Sequence, residues 1–316
     1  MKEKKIIITG GLGFLGFSIF KKLINENYIL VIDNLSSNVT QKKFITNYKN
    51  GTFCELNITN NSMLEIFEQY SPEIVIHCAA QTNVIESMKN PTKTKINNIE
   101  GTRNILESVK NLENCYFIFI SSGGAIYGEP SYLPVDENHE KNPISNYGIS
   151  KLKGELLTKK ILSESKINYS IIRPSNIYGP GQKTENVIPK FIKLMKNKQE
   201  VRIFGDGSSS RDYIYIDDLV EIILKLCKTK INCTINASSN KETKIIEIFN
   251  FLKKQLNYDL KPTFLNDRKG EIFNISLDNT NLIKILNMLS YILPFIVLIL
   301  VVVFIHEYGH YYFAKK

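Results

Sequence analysis

The sequence has 316 residues, enough for about two ordinary domains. Hydrophobic residues make up 43% of it and charged residues 22%, which excludes a disordered, collagen-like or coiled-coil chain as a whole. The net charge of +9 comes from lysines scattered in short runs, a pattern typical of solvated helix faces, so we expect no nucleic-acid partner.

The cysteines and the N-terminus bear on the cell compartment. Five cysteines without a C-x-x-C pair argue against a disulfide framework and are typical of a reducing compartment. The first residues run directly into Ile6-Ile7-Ile8 and then into glycines, an apolar run too short for a signal peptide. We therefore expect the main body of the protein in the cytoplasm.

Short apolar runs alternate with helical patterns through the first half of the chain. Six runs predict buried strands, at residues 5–9, 29–33, 52–55, 74–77, 116–121 and 169–173. Helical patterns cover residues 15–25, 62–70, 101–110 and 147–163, and Ser62 with Glu65 predicts a capping box. Near-continuous hydrophobicity in the strands predicts an α/β fold: a doubly wound parallel sheet of the Rossmann type over residues 1–174.

Two further segments follow. Loops rich in glycine, proline and serine interrupt the alternation from about residue 175, so residues 175–287 are predicted as a smaller substrate-binding portion. Residues 288–316 form an apolar tail, whose uncharged run over 288–305 reaches the lower limit, about 18 residues, for a transmembrane helix. This run predicts membrane insertion, and a buried C-terminal helix is the alternative.

The motif T-G-G-L-G-F-L-G at residues 9–16 lies between the first predicted strand and the first helix. Gly10 allows a tight turn, Gly13 lets the backbone approach a pyrophosphate, and Gly16 lets helix and strand pack closely. Asp33 ends the next strand about 20 residues later, where a carboxylate accepts hydrogen bonds from a ribose diol and repels a 2′-phosphate. The pattern predicts NAD as the cofactor rather than NADP.

A second constellation carries acid–base chemistry. Tyr147 and Lys151 are one helical turn apart and project from one helical face. A tyrosine with a pKa of about 10 is a poor base at neutral pH, and a neighbouring ammonium with an oxidised nicotinamide would supply the field that lowers this pKa. Ser121 and Ser122 end the fifth predicted strand, and the spacing to Tyr147 favours Ser122 as the serine that faces the substrate.

With these motifs, the sequence resembles the extended short-chain dehydrogenase/reductases, in particular the NAD-dependent nucleotide-sugar epimerases of the UDP-glucose 4-epimerase type. The likeness covers about residues 1–286. The further matching stretches are V-I-D-N-L at 31–35, H-C-A-A-Q at 77–81, N-I-E-G-T at 98–102, I-R-P-S-N-I-Y-G at 172–179, R-D-Y-I-Y-I-D-D at 211–218 and R-K-G-E at 268–271.

The resemblance implies roles for individual residues. Ser122, Tyr147 and Lys151 would form the catalytic group. The NAD contacts would be Gly10, Gly13, Phe14, Leu15, Gly16, Asp33, Asn34, Asn57, Ile58, Ala79, Ala80, Gln81 and Asn98, together with Tyr147 and Lys151. A UDP-sugar would be held by Ser122, Asn176, Arg211 and Arg268, and the resemblance implies a homodimer. The family usually has an aspartate at the position of Asn57.

The loop after Ser122 separates the epimerases from the related 4,6-dehydratases. Those enzymes carry an Asp-Glu pair there for elimination, whereas this chain has Gly123, Gly124 and Ala125. The resemblance therefore implies a 4-epimerase of the UDP-glucose/UDP-galactose type that acts through a transient 4-keto sugar. A catalytically silent NAD-binding module is an alternative, and the sequence leaves the identity of the sugar open.

The tail carries a motif of another kind. H-E-Y-G-H at residues 306–310 resembles the zinc-binding motif of metalloproteases, and with the apolar run before it resembles the first transmembrane helix of a site-2-type protease. A zinc site needs a third protein ligand, so we expect no functional metal site at His306, Glu307 and His310. A zinc protease fragment fused to an NAD-binding body is the alternative function, and a misjoined reading frame is another explanation of the tail.

Overall fold

The computed structural model describes residues 1–36, 41–266 and 272–287. Met1–Asn279 form one compact unit and Thr280–Lys316 a second, of which the described part, residues 280–287, is helical. Within the described ranges, no helix has the length and apolar character needed to cross a bilayer. The predicted span 288–305 and the H-E-Y-G-H motif lie outside the described residues.

The described part of the first unit contains thirteen strands and eleven α-helices. The strands are β1 (Lys5–Thr9), β2 (Tyr28–Asp33), β3 (Gly51–Glu55), β4 (Ile74–His77), β5 (Tyr116–Ile120), β6 (Asn168–Pro174), β7 (Asn176–Tyr178), β8 (Arg202–Phe204), β9 (Ser210–Tyr215), β10 (Cys233–Ala237), β11 (Glu242–Lys244), β12 (Thr263–Leu265) and β13 (Asn274–Ile275). The helices are α1 (Phe14–Leu23), α2 (Lys42–Thr46), α3 (Met63–Tyr70), α4 (Val84–Lys89), α5 (Pro91–Lys95), α6 (Gly101–Val109), α7 (Gly123–Ile126), α8 (Asn146–Ser163), α9 (Val187–Lys196), α10 (Ile216–Thr229) and α11 (Ile245–Gln255), with a π-helical turn (Ile96–Glu100) before α6.

A seven-stranded parallel sheet forms the centre of this unit, in the order β10-β6-β5-β4-β1-β2-β3. Its middle strands are buried along nearly their whole length, because helices cover both faces. All six predicted strands are confirmed to within two residues at each end, and so is the α/β Rossmann class. The seventh strand, β10, comes from beyond residue 174, so the sheet includes a strand from the segment predicted to bind substrate.

The strand order places the functional residues. The chain runs outward from β1 to β3 on one side and from β4 to β10 on the other, so the order reverses between β1 and β4. In such sheets ligands bind beyond the carboxyl ends of the strands at this reversal. The glycine motif, Asp33, Gln81 and Ser122 all follow carboxyl ends of these strands and therefore lie at the same edge.

One local prediction is wrong. Helix α3 begins after Ser62, but the Ser62 hydroxyl makes no capping hydrogen bond, and the predicted capping box with Glu65 does not form. Ser62 has φ −72° and ψ −2°, a helical backbone rather than the extended backbone of a typical N-cap. Asn60 takes over locally, because its Oδ1 accepts the Ser62 N–H at 2.9 Å.

The remaining strands form two smaller sheets. In the larger one, β9 pairs with β7 and β13 in parallel and with β11 in antiparallel fashion. Strands β8 and β12 form a parallel pair. An apolar cluster that includes Phe191, Met195, Ile203 and Phe249 supports this part of the unit.

Candidate active site

The glycine turn after β1 is a backbone cradle. Gly10 has φ +67°, and a Cβ added there would lie 2.6 Å from Ala79 Cα, so only glycine fits without movement. A Cβ at Gly16 would lie 2.4 Å from Gly10 O, which confirms close packing of helix on turn. Gly13 is the N-cap of α1, and no side chain caps the first turn, where Phe14 and Leu15 follow. The positive end of α1 therefore faces the cradle without a side-chain cap.

Asp33 ends β2 directly beside this turn. Its buried carboxylate accepts the Leu12 N–H at 3.0 Å through one oxygen and the Leu35 N–H at 2.9 Å through the other. Asp33 thus fixes the glycine turn, a role that the sequence did not indicate. Each carboxylate oxygen accepts more than one hydrogen bond, so the same group can also accept from a ribose diol.

The loop after β4 completes the cradle. Ala79, Ala80 and Gln81 are half-buried, and Gln81 Oε1 is shielded from solvent without a hydrogen-bond partner in the described ranges. A shielded amide oxygen without a partner is costly unless a ligand or water supplies the donor. The uncapped helix start, the Asp33 carboxylate and this oxygen together fit a dinucleotide.

The predicted adenine-side residues use their side chains in local turns. Asn57 Oδ1 accepts from both the backbone N–H and the hydroxyl of Thr59 at 3.1 Å. Asn34 Oδ1 accepts the Ser36 N–H at 3.1 Å. Ile58 is buried against Gly101, where an added Cβ would lie 2.6 Å from it. The cofactor contacts of these three residues stay predictions.

Asn98 joins the cofactor side to the helix that carries Tyr147. It lies in the π-helical turn, its Nδ2 donates to Gln81 O and to Ser150 Oγ at 2.9 Å each, and its Oδ1 accepts the Gln81 N–H at 2.7 Å. All three hydrogen bonds are thus internal. Asn98 holds Gln81 in place, and its own contact with the cofactor stays a prediction. π-Helical turns frequently occur at functional sites.

Tyr147 and Ser122 are brought together. Ser145 caps α8 by accepting the Gly148 N–H at 3.0 Å, and Ser87 Oγ accepts the Tyr147 N–H at 3.1 Å, so the helix start is fixed from two sides. The Ser122 side chain lies beside the Tyr147 phenol, close enough to favour its ionised form. Burial raises the pKa of Tyr147 above its ordinary value of about 10, and Ser122 opposes this rise.

Lys151 lies one turn further along α8, as predicted, and its ammonium binds a backbone carbonyl of β5. Its Nζ is buried, donates to Ile120 O at 2.7 Å and lies 5.2 Å from the centre of the Phe119 ring. Burial lowers the pKa of Lys151 to about 8, opposed by Cys78 and Glu155. Burial dominates at the Tyr147 phenol, and the lowering of its pKa by Lys151 together with oxidised NAD stays a prediction.

The two serines at the end of β5 have different partners. Ser121 Oγ donates to Glu155 Oε1 at 2.5 Å, and Glu155 is in turn paired with Arg173. Ser122 is half-buried and faces Tyr147. The sequence prediction missed Glu155 and Arg173. The sequence contains two signals that could have identified them: a carboxylate one helical turn after Lys151, and a charged residue at the end of an apolar strand.

A buried histidine continues the connection from the cradle to α8. His77 at the end of β4 hydrogen-bonds Thr9 Oγ1 through Nδ1 at 2.6 Å and Thr102 Oγ1 through Nε2 at 3.0 Å. Thr102 donates to Asn98 O at 2.6 Å. Burial, with Lys151 nearby, lowers the pKa of His77 to about 3, so the ring is neutral at physiological pH. The sequence did not indicate this role.

The predicted substrate residues lie on paired strands. Asn176 in β7 pairs with Tyr213 in β9, two residues from Arg211. Asn176 Oδ1 would lie 3.0 Å from a Cβ at Gly124, so its amide reaches the loop after Ser122. Arg211 Nη1 donates to Ser210 O and Phe273 O at 2.8 and 2.9 Å. Arg268 lies outside the described residues.

No metal-binding group can be assigned in the part of the chain that the structure describes. Three or more His, Cys, Asp or Glu side chains with suitable geometry do not come together within these ranges. His306, Glu307 and His310 lie outside them, so the expectation of an incomplete zinc site stays a prediction.

The chain is similar to known proteins over most of its length. Residues 6–237 match the profile of the NAD dependent epimerase/dehydratase family. The UDP-glucose 4-epimerase of Thermotoga maritima, solved with UDP-glucose, is 36% identical with a TM-score of 0.83, over 87% of this chain and 90% of that one. The UDP-N-acetylglucosamine 4-epimerase of Methanobrevibacter ruminantium, in complex with UDP-N-acetylmuramic acid, is 31% identical with a TM-score of 0.85, over 90% and 92%.

A dehydratase is also among the relatives. The dTDP-D-glucose 4,6-dehydratase of Dictyostelium discoideum is 35% identical over 277 residues, which cover 81% of this chain and 62% of that protein. Overall similarity therefore does not distinguish an epimerase from a dehydratase. The distinction has to come from the residues at the end of β5.

Proposed function

The chain belongs to the NAD-dependent epimerase/dehydratase family, and on this basis we propose that it is a nucleotide-sugar 4-epimerase. The observation that carries the proposal is the pairing of Tyr147 with Ser122 beside the glycine cradle, in a loop without an acid–base pair. For reversible oxidation of an alcohol with NAD as the hydride acceptor, one phenol that takes and returns a proton is a sufficient acid–base group. Elimination of water needs further acid–base groups.

The cofactor residues fit NAD, which when bound accepts a hydride from a sugar carbon and gives it back. Gly10, Gly13 and Gly16 would admit the pyrophosphate at the start of α1. Asp33 would accept hydrogen bonds from the adenosine ribose, and Gln81 Oε1 would find its missing donor. The finer contacts of Phe14, Leu15 and Ala80 belong to the same proposal.

Tyr147 is assigned the proton transfer. Its raised pKa keeps the phenol protonated at neutral pH in the protein alone, so its use as a base requires an added positive charge, which oxidised NAD carries. The phenolate then accepts the proton of the sugar 4-hydroxyl while C4 loses its hydride. The 4-keto sugar turns over, C4 regains the hydride on its other face, and Tyr147 returns the proton to the oxygen.

Ser122 and Lys151 support this transfer. Ser122 would donate a hydrogen bond to the substrate oxygen beside Tyr147, which stabilises negative charge as it develops. Lys151 is held against Ile120 O, and its ammonium would contribute positive potential to the same region. Asn176 and Arg211, with Arg268 from outside the described residues, would hold the UDP group, since arginine donates well to phosphate oxygens.

The packing around Gly123 favours epimerization over dehydration. A Cβ at this position would lie 2.3 Å from Leu277 Cδ1, so a carboxylate side chain does not fit there without movement of Leu277. Gly124 and Ala125 carry no titratable group. The loop therefore lacks the carboxylates that elimination would use.

A panel experiment tests the function. The purified full chain is incubated with NAD and each of UDP-glucose, UDP-galactose, UDP-N-acetylglucosamine and UDP-glucuronate, and the products are separated by chromatography. We propose UDP-glucose and UDP-galactose as the pair interconverted. A 4-keto-6-deoxy product would point to a dehydratase, and bound NAD without any conversion would point to a silent NAD-binding module.

The assembly and location are part of the proposal. A homodimer is supported by large apolar side chains exposed close together in sequence on α4 and on α8, namely Ile85, Met88, Ile149 and Leu156. Light scattering of the purified chain tests it. We propose a cytoplasmic catalytic body, and extraction of cell membranes with carbonate tests the separate prediction that residues 288–305 insert into a bilayer.

A further inference from the structure

A carboxylate lies buried one helical turn beyond Lys151. Glu155 is only 1% exposed, and Arg173, its partner on β6, is 2% exposed. Tyr147, Lys151 and Glu155 follow each other at intervals of four residues, so they form one stripe along α8. The stripe continues the proposed catalytic pair into the protein core.

The carboxylate is held from three directions. Glu155 Oε1 accepts from Ser121 Oγ at 2.5 Å and from Arg173 Nε at 2.9 Å, and Oε2 accepts from Arg173 Nη2 at 2.7 Å. Arg173 Nη1 donates onward to the Tyr127 hydroxyl at 2.9 Å and to Glu137 O at 3.1 Å. The two-pronged geometry fixes the orientation of both groups.

A buried ion pair of this kind needs a reason other than stability. Removing two charges from water is costly, and well-packed apolar residues of similar volume often stabilise a fold equally well. Glu155 connects the end of β5, next to Ser122, to the helix that carries Lys151, so it lies between the two parts of the candidate active site.

We propose that Glu155 is a positioning residue for the reaction, which holds Ser121 at the end of β5 and places a buried carboxylate one helical turn from Lys151. The catalytic meaning of this inference rests on the proposed function. Its structural and electrostatic parts concern the protein alone.

The orientation of the serines follows from the backbone. Ser122 has φ −157° and ψ 105°, an extended conformation in which neighbouring side chains point to opposite sides. Ser121 is bound to Glu155 on one side, and Ser122 therefore points to the other, toward Tyr147. The bond from Ser121 to Glu155 is thus the side-chain contact that holds the first serine of this pair in place.

The electrostatic part follows from the groups around Lys151. His77 and Cys78 face it from the end of β4, Phe119 and Ile120 O from β5, and Glu155 and Tyr147 from its own helix. His77 is neutral, and burial raises the pKa of the Cys78 thiol to about 12.

Of these described side chains around Lys151, Glu155 is the one carboxylate, and it is paired with Arg173 behind it. Burial pulls the pKa of Lys151 down to about 8, and the Glu155 carboxylate acts against this shift. Loss of the carboxylate should therefore release the Lys151 proton at lower pH.

The test is a set of four full-length proteins: wild type, Lys151→Met, Glu155→Gln and the double variant. Their free energies of unfolding are measured in urea from pH 6 to pH 10. A lysine whose pKa is lower in the folded than in the unfolded state binds more protons when unfolded, so stability rises with pH above its folded pKa. The difference between wild type and Lys151→Met should thus begin to change at about pH 8.

In the Glu155→Gln background the same difference should begin to change at a pH lower by about one unit. If the stability difference begins to change at the same pH in both backgrounds, the electrostatic part of the proposal is overturned. If Glu155→Gln leaves Arg173 unpaired and the protein unfolded, Glu155→Gln/Arg173→Gln replaces the ion pair with two neutral amides. The stabilities with and without Lys151→Met are then compared in that background. The pH at which their difference begins to change should again lie below pH 8. If that pH is unshifted, the electrostatic part of the proposal is overturned.

Ser121→Ala is the matched control, because it removes one hydrogen bond to Glu155 and keeps the charge. In this variant the stability difference caused by Lys151→Met should still begin to change near pH 8. The kcat should fall severalfold at unchanged KM. An unchanged kcat would overturn the proposal that Glu155 is a positioning residue for the reaction. The linkage measurement needs no substrate. Absence of epimerase turnover would therefore contradict the proposed function alone, and an unshifted onset in an active enzyme would contradict this inference alone.

Discussion

The side chain of Ser122, just after β5, lies beside the phenol of Tyr147 at the start of α8. The strand end and the helix are separated in sequence by a long loop, which leads into the Ser145 cap of α8. This contact places an alcohol-binding hydroxyl and a proton-transfer group side by side, next to the glycine cradle.

Replacement of Tyr147 by Phe should reduce kcat by about 10³-fold, because no other group in the described site takes the proton. NAD affinity and the melting temperature should stay close to wild type, since Phe keeps the buried ring beside Ser122. Turnover, NAD titration and thermal unfolding measure the three quantities. Tyr132→Phe, at an exposed tyrosine, is the control and should leave turnover unchanged. Wild-type turnover in Tyr147→Phe would refute the assignment.

Alanine substitutions at the two adjacent serines should affect kcat and stability differently. Ser122→Ala should lower kcat by about 10²-fold with little change in stability. Ser121→Ala should lower stability by about 2 kcal/mol, because it removes a hydrogen bond to the buried Glu155 carboxylate, and it should lower kcat much less. Urea unfolding and steady-state kinetics on both variants check this, and the reverse pattern would show that Ser121 faces the substrate.

Alanine substitutions at two glycines of the cradle should differ in their effects on stability and NAD affinity. Gly16→Ala brings a Cβ to 2.4 Å from Gly10 O, so we expect a large loss of stability. At Gly13, φ is −69° and the added Cβ would lie 3.1 Å from Gly10 O, a contact that a small shift relieves. Gly13→Ala should therefore keep most of its stability and lose about tenfold or more in NAD affinity, measured by calorimetry. Full NAD affinity in Gly13→Ala would place the pyrophosphate elsewhere.

The buried His77 should make the protein sensitive to acid. Its pKa is about 3 in the folded protein and about 6.5 when unfolded, so the unfolded state binds more protons between these values. Stability should then fall as pH decreases through this window, by about 1.4 kcal/mol per pH unit from this residue.

His77→Gln tests the acid effect, because an amide can hydrogen-bond Thr9 or Thr102 and does not titrate. Relative to wild type, its free energy of unfolding should depend less steeply on pH between about 6 and 4. Equal slopes for the two proteins would mean that His77 takes up a proton in the fold.

Much of the fold could be predicted because its signals are local. The apolar runs at 5–9 and 74–77 were strong enough to predict the strand bounds without error. The small residues of the glycine motif predicted a turn that only glycine can adopt at Gly10. The Ser62 capping box failed because Asn60, a competing turn residue nearby, bonds the backbone first.

The candidate site was predictable by residue type but not by contact. The cofactor contact of Asn98 stays a prediction, and the structure adds its hydrogen bonds to Gln81 and Ser150. The action of Lys151 on Tyr147 also stays a prediction, and the structure adds the bond from Lys151 Nζ to Ile120 O. In each case the partner comes from a distant part of the chain, and a single sequence carries no signal for such pairs.

The order of strands and helices, the glycine turn and the residue types of the site could be read from the amino-acid order, because hydrophobic periodicity and backbone freedom are properties of neighbouring residues. The contacts of Ser121 with Glu155, of Ser122 with Tyr147 and of Arg173 with the buried Glu155 carboxylate emerged from the packed fold alone. These choices depend on which side chains the packed sheet brings together and on how strongly burial shifts their charges.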